Sequence, residues 1–203
     1  MHIPDGVLSP PVLAAGVIAT ALGTYAGLRK LDYEDVPRVG VIAAALFLAS
    51  LMHVPLGPGS VHLVLNGIAG LLLGWSVFPA FLVALLLQLL LFGFGGLTSL
   101  GVNTFNMAAP GVLAYLLFRN FLRTNGIWSF AFGAAGSAIG IVGSAVILFS
   151  TLLLSGSEFL QTARIVLLAH VPIVIIEGIV GGFCISYLRR VRPEMLSLDT
   201  QSH

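Results

Sequence analysis

The sequence predicts an all-α fold, a polytopic membrane bundle of about seven transmembrane helices. Of its 203 residues, 58% are apolar and only 8% are charged, whereas soluble domains carry about 25% charged residues. The mean hydropathy is +1.05. The apolar residues fall in long runs with short connections between them, and each helix that crosses a bilayer needs about 20 such residues.

The runs predict one membrane-embedded domain with two short ends. Residues 1–8 precede the first run, residues 9–188 make the bundle, and residues 189–203 form a cytoplasmic tail. Pro10 and Pro11 favour a helix start at the first run, and Pro55, Pro58 and the glycines beside them break the chain after the second. The predicted spans are residues 9–29, 39–53, 61–75, 77–93, 104–121, 127–154 and 160–188.

The distribution of basic residues predicts that the N-terminus lies outside. Cytoplasmic connections of membrane proteins are enriched in Lys and Arg. With an odd number of spans and an external N-terminus, eight of the nine basic residues fall in inner connections and only Arg164 does not. The eight are Arg29, Lys30, Arg38, Arg119, Arg123, Arg189, Arg190 and Arg192. His2, His53, His62, Asn103 and Asn106 then lie towards the outside.

Several function classes are disfavoured. The net charge of +1 gives no electrostatic reason to expect a nucleic-acid partner. The lone Cys184 lies in an apolar run, which excludes a disulfide framework within the chain. The sequence contains no Walker A motif and no Ser/His/Asp or Cys/His arrangement that suggests catalysis. We therefore expect no enzymatic activity and no organic cofactor.

The first two residues form a potential metal chelate. The Met1 amine, the His2 amide nitrogen and one His2 ring nitrogen can bind a single ion through adjacent small rings. Nitrogen-rich tetragonal sets suit Ni(II) or Cu(II). One position in the plane would remain for a ligand from elsewhere in the chain. The alternative is an ordinary chain start followed by a surface histidine.

His62 is the favoured candidate for that remaining position, and His53 is the rival. Asn66 lies one helical turn after His62 on the same predicted face, where it would orient the ligand. Asn103 and Asn106 occur in a glycine-rich run between two apolar spans and would fold over the site and close it. Helix capping is the alternative role for these asparagines.

His170 and Glu177 lie inside the last span, where an ionisable residue is costly and marks function by default. They are seven residues apart, about 10 Å along a helix, which is too far for both to bind one ion. We expect them to support the site rather than to bind the metal.

Small residues recur on two of the predicted helices. Faces of this kind let helices approach closely in lipid, either within the bundle or against another subunit. The residues assigned to possible subunit docking are Ala15, Ala19, Gly23, Gly27, Gly136 and Gly140.

Four separated segments resemble the CbiM/NikM family, the substrate-capture (S) components of energy-coupling-factor (ECF) cobalt and nickel transporters. The segments are MHIPDG at the start, HVPLGPGSVHLVLNG at 53–67, GGLTSLGVNTFNMA at 95–108 and HVPIVIIEG at 170–178. They occur in the family's order and span nearly the whole chain.

The resemblance implies a seven-helix bundle whose N-terminus tucks into the protein. It implies that Met1, His2 and His62 bind Co(II) or Ni(II), and that the loop carrying Asn103 and Asn106 closes over the metal. It also implies a prokaryotic cytoplasmic membrane and uptake that serves, for example, cobalamin biosynthesis. The implied partners are membrane lipid, a transmembrane T subunit, cytoplasmic ATPases that supply the ATP hydrolysis, and in some cases a small accessory membrane protein.

Two other classes of function remain open at this stage. One is an ATP-independent channel or facilitator for a small solute, in which the histidines are structural. The other is a scaffold subunit that uses only its small-residue faces. Neither requires a free N-terminus, whereas the chelate does.

Overall fold

The computed structural model describes residues 2–56, 59–122, 124 and 126–196, with only the backbone described for 53–56 and 59–62. This part of the chain contains seven α-helices and one β-hairpin. The helices are α1 (Pro10–Arg29), α2 (Val36–Leu51), α3 (Asn66–Leu73), α4 (Val77–Phe92), α5 (Leu100–Phe118), α6 (Ile127–Ser155) and α7 (Leu160–Val191). The strands are β1 (His53–Leu56) and β2 (Gly59–His62).

Short 3₁₀ helices extend or join several of these elements. They cover Tyr33–Asp35, Gly74–Ser76, Arg119–Phe121, Ser157–Phe159 and Pro193–Leu196. Two glycines with positive φ mark helix boundaries, Gly74 (φ 54°) between α3 and α4 and Gly93 (φ 67°) after α4. Positive φ is readily available to glycine because it has no Cβ, so these positions end helices that the apolar sequence would otherwise continue.

Five helical stretches in the described residues are long and apolar enough to cross a membrane. They are Pro10–Arg29, Asn66–Phe92, Leu100–Phe121, Ile127–Ser155 and Ser157–Val191. The largely helical, multi-pass prediction is therefore confirmed. The count of about seven spans and the outward orientation of the N-terminus stay predictions.

The third predicted span differs most from the structure. Residues 59–62 are a strand, and the helix that follows has only eight residues, all of them buried. A short helix of this kind is tolerated at membrane depth when protein surrounds it. Here α5 and α6 pack against α3, which joins α4 through Gly74–Ser76 as one stretch. The sequence analysis did not predict the hairpin.

Close helix contacts organise the interior. A methyl group at Gly70 of α3 would lie 2.0 Å from Gly111 O of α5, so the two backbones touch where neither residue has a side chain. Large apolar side chains cover the outside instead, with Leu90, Leu154 and Leu168 each more than 70% exposed. Such an exterior matches lipid rather than water as the surrounding medium.

The small-residue faces are used inside the chain. Methyl groups at Gly23, Gly27, Gly136 and Gly140 would lie within 2.9 Å of Phe78, Trp75, Leu71 and Gly67, respectively. These four glycines therefore lie in close contacts within the chain, and their assignment to subunit docking stays a prediction. Ala15 is exposed and Ala19 is half-buried, so docking through these two residues stays a prediction.

Candidate metal site

The N-terminal segment is bound to the connection between α4 and α5. The Ile3 amide donates to Asn103 Oδ1 at 3.0 Å, and the Asn103 side-chain amide donates back to Ile3 O at 3.0 Å. The Ser99 hydroxyl also donates to Ile3 O at 2.6 Å. Ile3 is buried. Both polar groups of its backbone are therefore satisfied by α5 and the residue before it, which restrains the chain immediately after His2.

Asp5 makes a second attachment to the same connection. Its carboxylate accepts the backbone amides of Leu97 at 3.1 Å, Thr98 at 3.0 Å and Ser99 at 3.3 Å, together with the Thr98 hydroxyl. The Thr98 hydroxyl is the main reason that the pKa of Asp5 lies below its ordinary value of 3.8. Asp5 therefore stays ionised, and this attachment stays intact, until the solution becomes more acidic than that value.

Two glycines allow this close approach. A methyl group at Gly96 would lie 2.1 Å from Asp5 Oδ1, and one at Gly95 would lie 3.7 Å from the His2 side chain. Gly95 also has a φ of 81°, which residues with a Cβ rarely adopt. The glycine-rich run thus forms the wall against which the N-terminal segment packs. We call residues 2–6 together with 95–99 the N-terminal clamp.

The His2 ring is oriented from α4. Its Nε2 is hydrogen-bonded to Oε1 of Gln88, a buried residue, and its centroid lies 5.9 Å from that of Phe94. A carbonyl oxygen can only accept, so with Gln88 in this orientation the bond places the proton on Nε2, and in that tautomer Nδ1 has the lone pair that a metal can bind. Metal-binding histidines are commonly fixed in this way through their second nitrogen. As the one polar residue in an apolar span, Gln88 is predicted from the sequence to form a hydrogen bond between helices, but its partner His2 is not predicted.

The hairpin aligns the two other candidate histidines. In its antiparallel register, His53 pairs with His62 at the open end of the ribbon. The side chains of His53 and His62 lie outside the described part of the structure, as does Met1. The assignment of Met1, His2 and His62 as ligands therefore stays a prediction. Within the described residues, no group of three or more His, Cys, Asp or Glu side chains could bind a metal.

Glu177 supports the turn between the hairpin and α3. Its carboxylate accepts the amide of Val64 and, at 2.8 Å, the amide of Leu65. Leu65 has a φ of 55°, a left-handed conformation that is rare for a leucine. The fully buried Glu177 thus satisfies two amides at the point where the chain leaves β2, two residues after His62. The predicted support of the metal site by Glu177 stays a prediction.

Asn66 links three helices. Its side-chain nitrogen lies 2.9 Å from Gly140 O, 2.8 Å from Ser144 Oγ and 3.2 Å from Met107 O. The Ser144 hydroxyl donates to Asn106 O at 2.7 Å. These bonds join the start of α3 to α5 and α6. They satisfy the side-chain nitrogen of Asn66, and its predicted effect on His62 stays a prediction.

Asn106 and His170 are also buried. Neither polar atom of the Asn106 side chain has a hydrogen-bond partner among the described residues, and the Asn66 side-chain oxygen has none either. His170 Nδ1 lies 2.6 Å from Val166 O in the preceding turn of α7. Unlike Asn103, which binds the N-terminal segment directly, Asn106 and His170 have predicted roles at the site that remain predictions.

The apolar exterior and the five spanning stretches define a multi-pass membrane protein, and the comparisons add its family. Residues 2–195 match the CbiM family, described as the cobalt uptake substrate-specific transmembrane region. The match covers nearly the whole chain. The chain therefore belongs to the CbiM family.

Curated relatives agree with this assignment. A protein of Haemophilus influenzae, named as a proposed metal transport protein, is 42% identical over 200 residues, or 97% of each chain. The cobalt transport protein CbiM of Sorangium cellulosum is 30% identical over 97% of this chain and 94% of its own. A fused nickel transport protein NikMN of Rhodobacter capsulatus is 38% identical over 69% of this chain, which corresponds to 39% of that longer protein.

Solved structures share the fold. The crystal structure of a transition metal transporter matches with a TM-score of 0.73 and 28% identity, over 94% of this chain and 93% of that chain. A truncated transition metal transporter matches with a TM-score of 0.67 and 26% identity, over 94% and 99%.

Proposed function

We propose that this chain captures Co(II) or Ni(II) at the outer side of a prokaryotic cytoplasmic membrane, as the substrate-binding S component of an ATP-driven ECF transporter. The ion is the transported substrate. The proposed donors are the Met1 amine, the His2 amide nitrogen, His2 Nδ1 and one nitrogen of His62.

The observation that carries this proposal is the orientation of His2. A chelate formed by the first two residues requires a restrained backbone and a ring turned to offer Nδ1. The clamp at Ile3 and Asp5 supplies the first requirement, and the Gln88 hydrogen bond supplies the second. Both sets of contacts come from α4, α5 and their connection. The N-terminal segment therefore reaches the metal already ordered, which lowers the entropic cost of binding.

The hairpin and the start of α3 support the fourth donor. The Glu177 contacts restrain the residues that follow His62. Through Ser144, Asn66 at the start of α3 is connected to the backbone of Asn106, and Asn106 is one turn after Asn103 on α5. A continuous set of contacts thus runs from Ile3 to the chain beyond His62, which supports a site shared by the two segments.

The predicted outer position of the N-terminus does not depend on the choice between five and seven spans. Both numbers are odd, so α1, α4, α5, α6 and α7 run in the same directions in either case, whereas an outer position of His62 and the hairpin requires seven spans. The basic residues then remain in the inner connections. An external N-terminus fits capture from outside. Release inside requires energy from partner ATPases and a T subunit, because the sequence has no nucleotide-binding motif.

The donor set and the relatives favour different metals. Four nitrogen donors in a plane favour Ni(II) over Co(II), and Ni(II) is also ahead in the general order of affinities. The family description refers to cobalt, and the names of relatives refer to both metals. We therefore propose that the site accepts both ions, with Ni(II) bound more tightly in vitro.

Alanine variants of the two hairpin histidines test the proposed donor set. We expect His62→Ala to reduce Ni(II) affinity at least 100-fold, since it removes a direct ligand, and His53→Ala to bind within a few-fold of the native protein. Isothermal titration of purified protein with Ni(II) and Co(II) measures both. Loss of binding in His53→Ala with retention in His62→Ala would instead assign the fourth donor to His53.

A further inference from the structure

We propose that the end of the bundle opposite the metal site binds an anionic phospholipid, with the phosphate in a basic cavity and an acyl chain in an adjoining apolar groove. The cavity has a volume of about 360 Å³ and lies among the α1–α2 connection, the break at Gly74–Ser76 and the end of α5. Lys30, Arg38 and Arg119 line it. Nothing in the proposed metal capture uses these residues.

The charge and the aromatic residues of the cavity suit a phosphate group. Lys30 Nζ lies 5.4 Å from the ring centroid of Trp75, and the Arg119 guanidinium carbon lies 5.6 Å from that of Tyr115. These cation–π contacts direct both cations along the cavity wall. Arg38 Nε is buried and has no hydrogen-bond partner among the described residues, so a donor for an anion is present at the base.

The acidic residues do not cancel this charge. Asp32 and Asp35 also line the cavity, which leaves one net positive charge among its five charged residues. Asp35 lies 3.9 Å from Arg38 Nη1 and is partly engaged there. The other guanidinium nitrogen of Arg38 donates to Leu72 O at 2.6 Å and to Met195 O. Lys30 and Arg119 are the two other cations that line the cavity.

The adjoining groove favours a lipid over free phosphate. It is lined by Ala19, Gly23, Ala26, Phe78 and Phe105 among others, and has a volume of about 390 Å³. Trp75 lines both the groove and the cavity. Leu116, which lines the cavity, is about half exposed, as expected of a surface that contacts acyl chains. A polar cavity that continues into an apolar groove matches a headgroup with its chain.

Lipid binding to the purified full-length chain tests this site. Native mass spectrometry would compare phosphatidylglycerol with phosphatidylcholine, with glycerol phosphate as a soluble competitor. Each basic residue near an anionic headgroup contributes about a fivefold change in affinity. We therefore expect the double variant Lys30→Gln/Arg119→Gln to lose about 30-fold for phosphatidylglycerol, and Ala26→Phe to weaken it by filling the groove.

Matched control variants make the same kinds of substitution at residues outside the cavity and the groove. Arg29→Gln/Arg190→Gln removes two charges, and Ala21→Phe adds one ring to an exposed position of α1 outside the groove. Both should bind phosphatidylglycerol as the native protein does. Equal binding of the two lipids by the native chain would overturn the proposal without requiring any variant. Competition by glycerol phosphate as strong as that by phosphatidylglycerol would overturn the lipid assignment and indicate a soluble phosphate ligand.

Discussion

Gln88 connects the membrane-spanning helices to the proposed chelate. Its carbonyl oxygen is positioned to accept the proton of His2 Nε2, and its burial in α4 prevents water from taking over that role. Without this acceptor the imidazole can change tautomer or rotate, and either change removes Nδ1 from the metal. The residue therefore acts on the ion through His2 and does not contact it.

We predict that Gln88→Leu lowers Ni(II) affinity by about 10–100-fold, the range found when the partner of a metal-binding histidine is removed. Titration with Ni(II), followed by the absorption of the complex, would measure the change. Gln161→Leu is the matched control because Gln161 is exposed on α7. If the Gln88 variant binds as tightly as this control, the proposed orientation of His2 is wrong.

Residue types allowed part of this site to be predicted. His2, Asn103 and Glu177 were recognisable because polar groups in an apolar chain are few and each needs a reason to be there. Their partners were not recognisable. The pairing of Asn103 with the backbone of Ile3, 100 residues away, depends on how α5 packs, and no local pattern encodes that contact.

The turn after the hairpin is the element whose geometry depends most on one side chain. Glu177 accepts two amides there, whereas a glutamine has one accepting oxygen and would direct its own N–H groups at the other amide. We expect Glu177→Gln to leave a buried amide unsatisfied, at a cost of about 1–3 kcal/mol. Amide exchange at Val64 and Leu65 should become faster, and metal affinity should fall with it.

Hydrogen exchange followed by mass spectrometry would locate this effect. Glu158→Gln serves as the control because Glu158 is exposed before α7. Unchanged protection of residues 63–66 in the Glu177 variant would show that the carboxylate does not stabilise the turn.

The N-terminal clamp depends on the absence of a side chain at position 96. We predict that Gly96→Ala displaces Asp5, because the added methyl group would lie 2.1 Å from its carboxylate. Overpacking of this kind costs about 1–3 kcal/mol. The expected results are faster chemical labelling of the N-terminal amine and faster release of the metal.

Gly40→Ala provides the comparison, since a methyl group at that position of α2 meets nothing within 4 Å. If the N-terminal amine is labelled at the same rate in Gly96→Ala and Gly40→Ala, the N-terminal clamp does not restrain the segment as we propose.

The element that sequence reasoning misplaced was α3. Its residues are as apolar as those of a lipid-facing span, and hydropathy alone cannot distinguish a helix surrounded by protein from one surrounded by lipid. The difference lies in contacts such as Gly70 with Gly111. The prolines and glycines of 53–62 did indicate a break, but antiparallel pairing of that segment depends on the two flanking helices.

The whole molecule joins two regions with different chemistry. One region holds the clamped N-terminus with Asn103, and another holds the cavity lined by Lys30, Arg38 and Arg119. The charge distribution predicts that the basic residues lie inside and the histidines outside, and this orientation stays a prediction. It left open whether the small-residue faces pack within the bundle or against another subunit, because the same glycine spacing serves contacts inside a chain and between chains.

The central claim is that the free N-terminus is part of the metal site, and one added N-terminal residue tests it most directly. The extension moves the amine away from His2 but leaves every native side chain in place. Metal content would be measured after loading the native and extended proteins with Ni(II) and Co(II) in parallel. We predict one ion per chain in the native protein and almost none in the extended one, with folding unchanged. Equal metal content in both would contradict the N-terminal chelate and leave the internal histidines as the site.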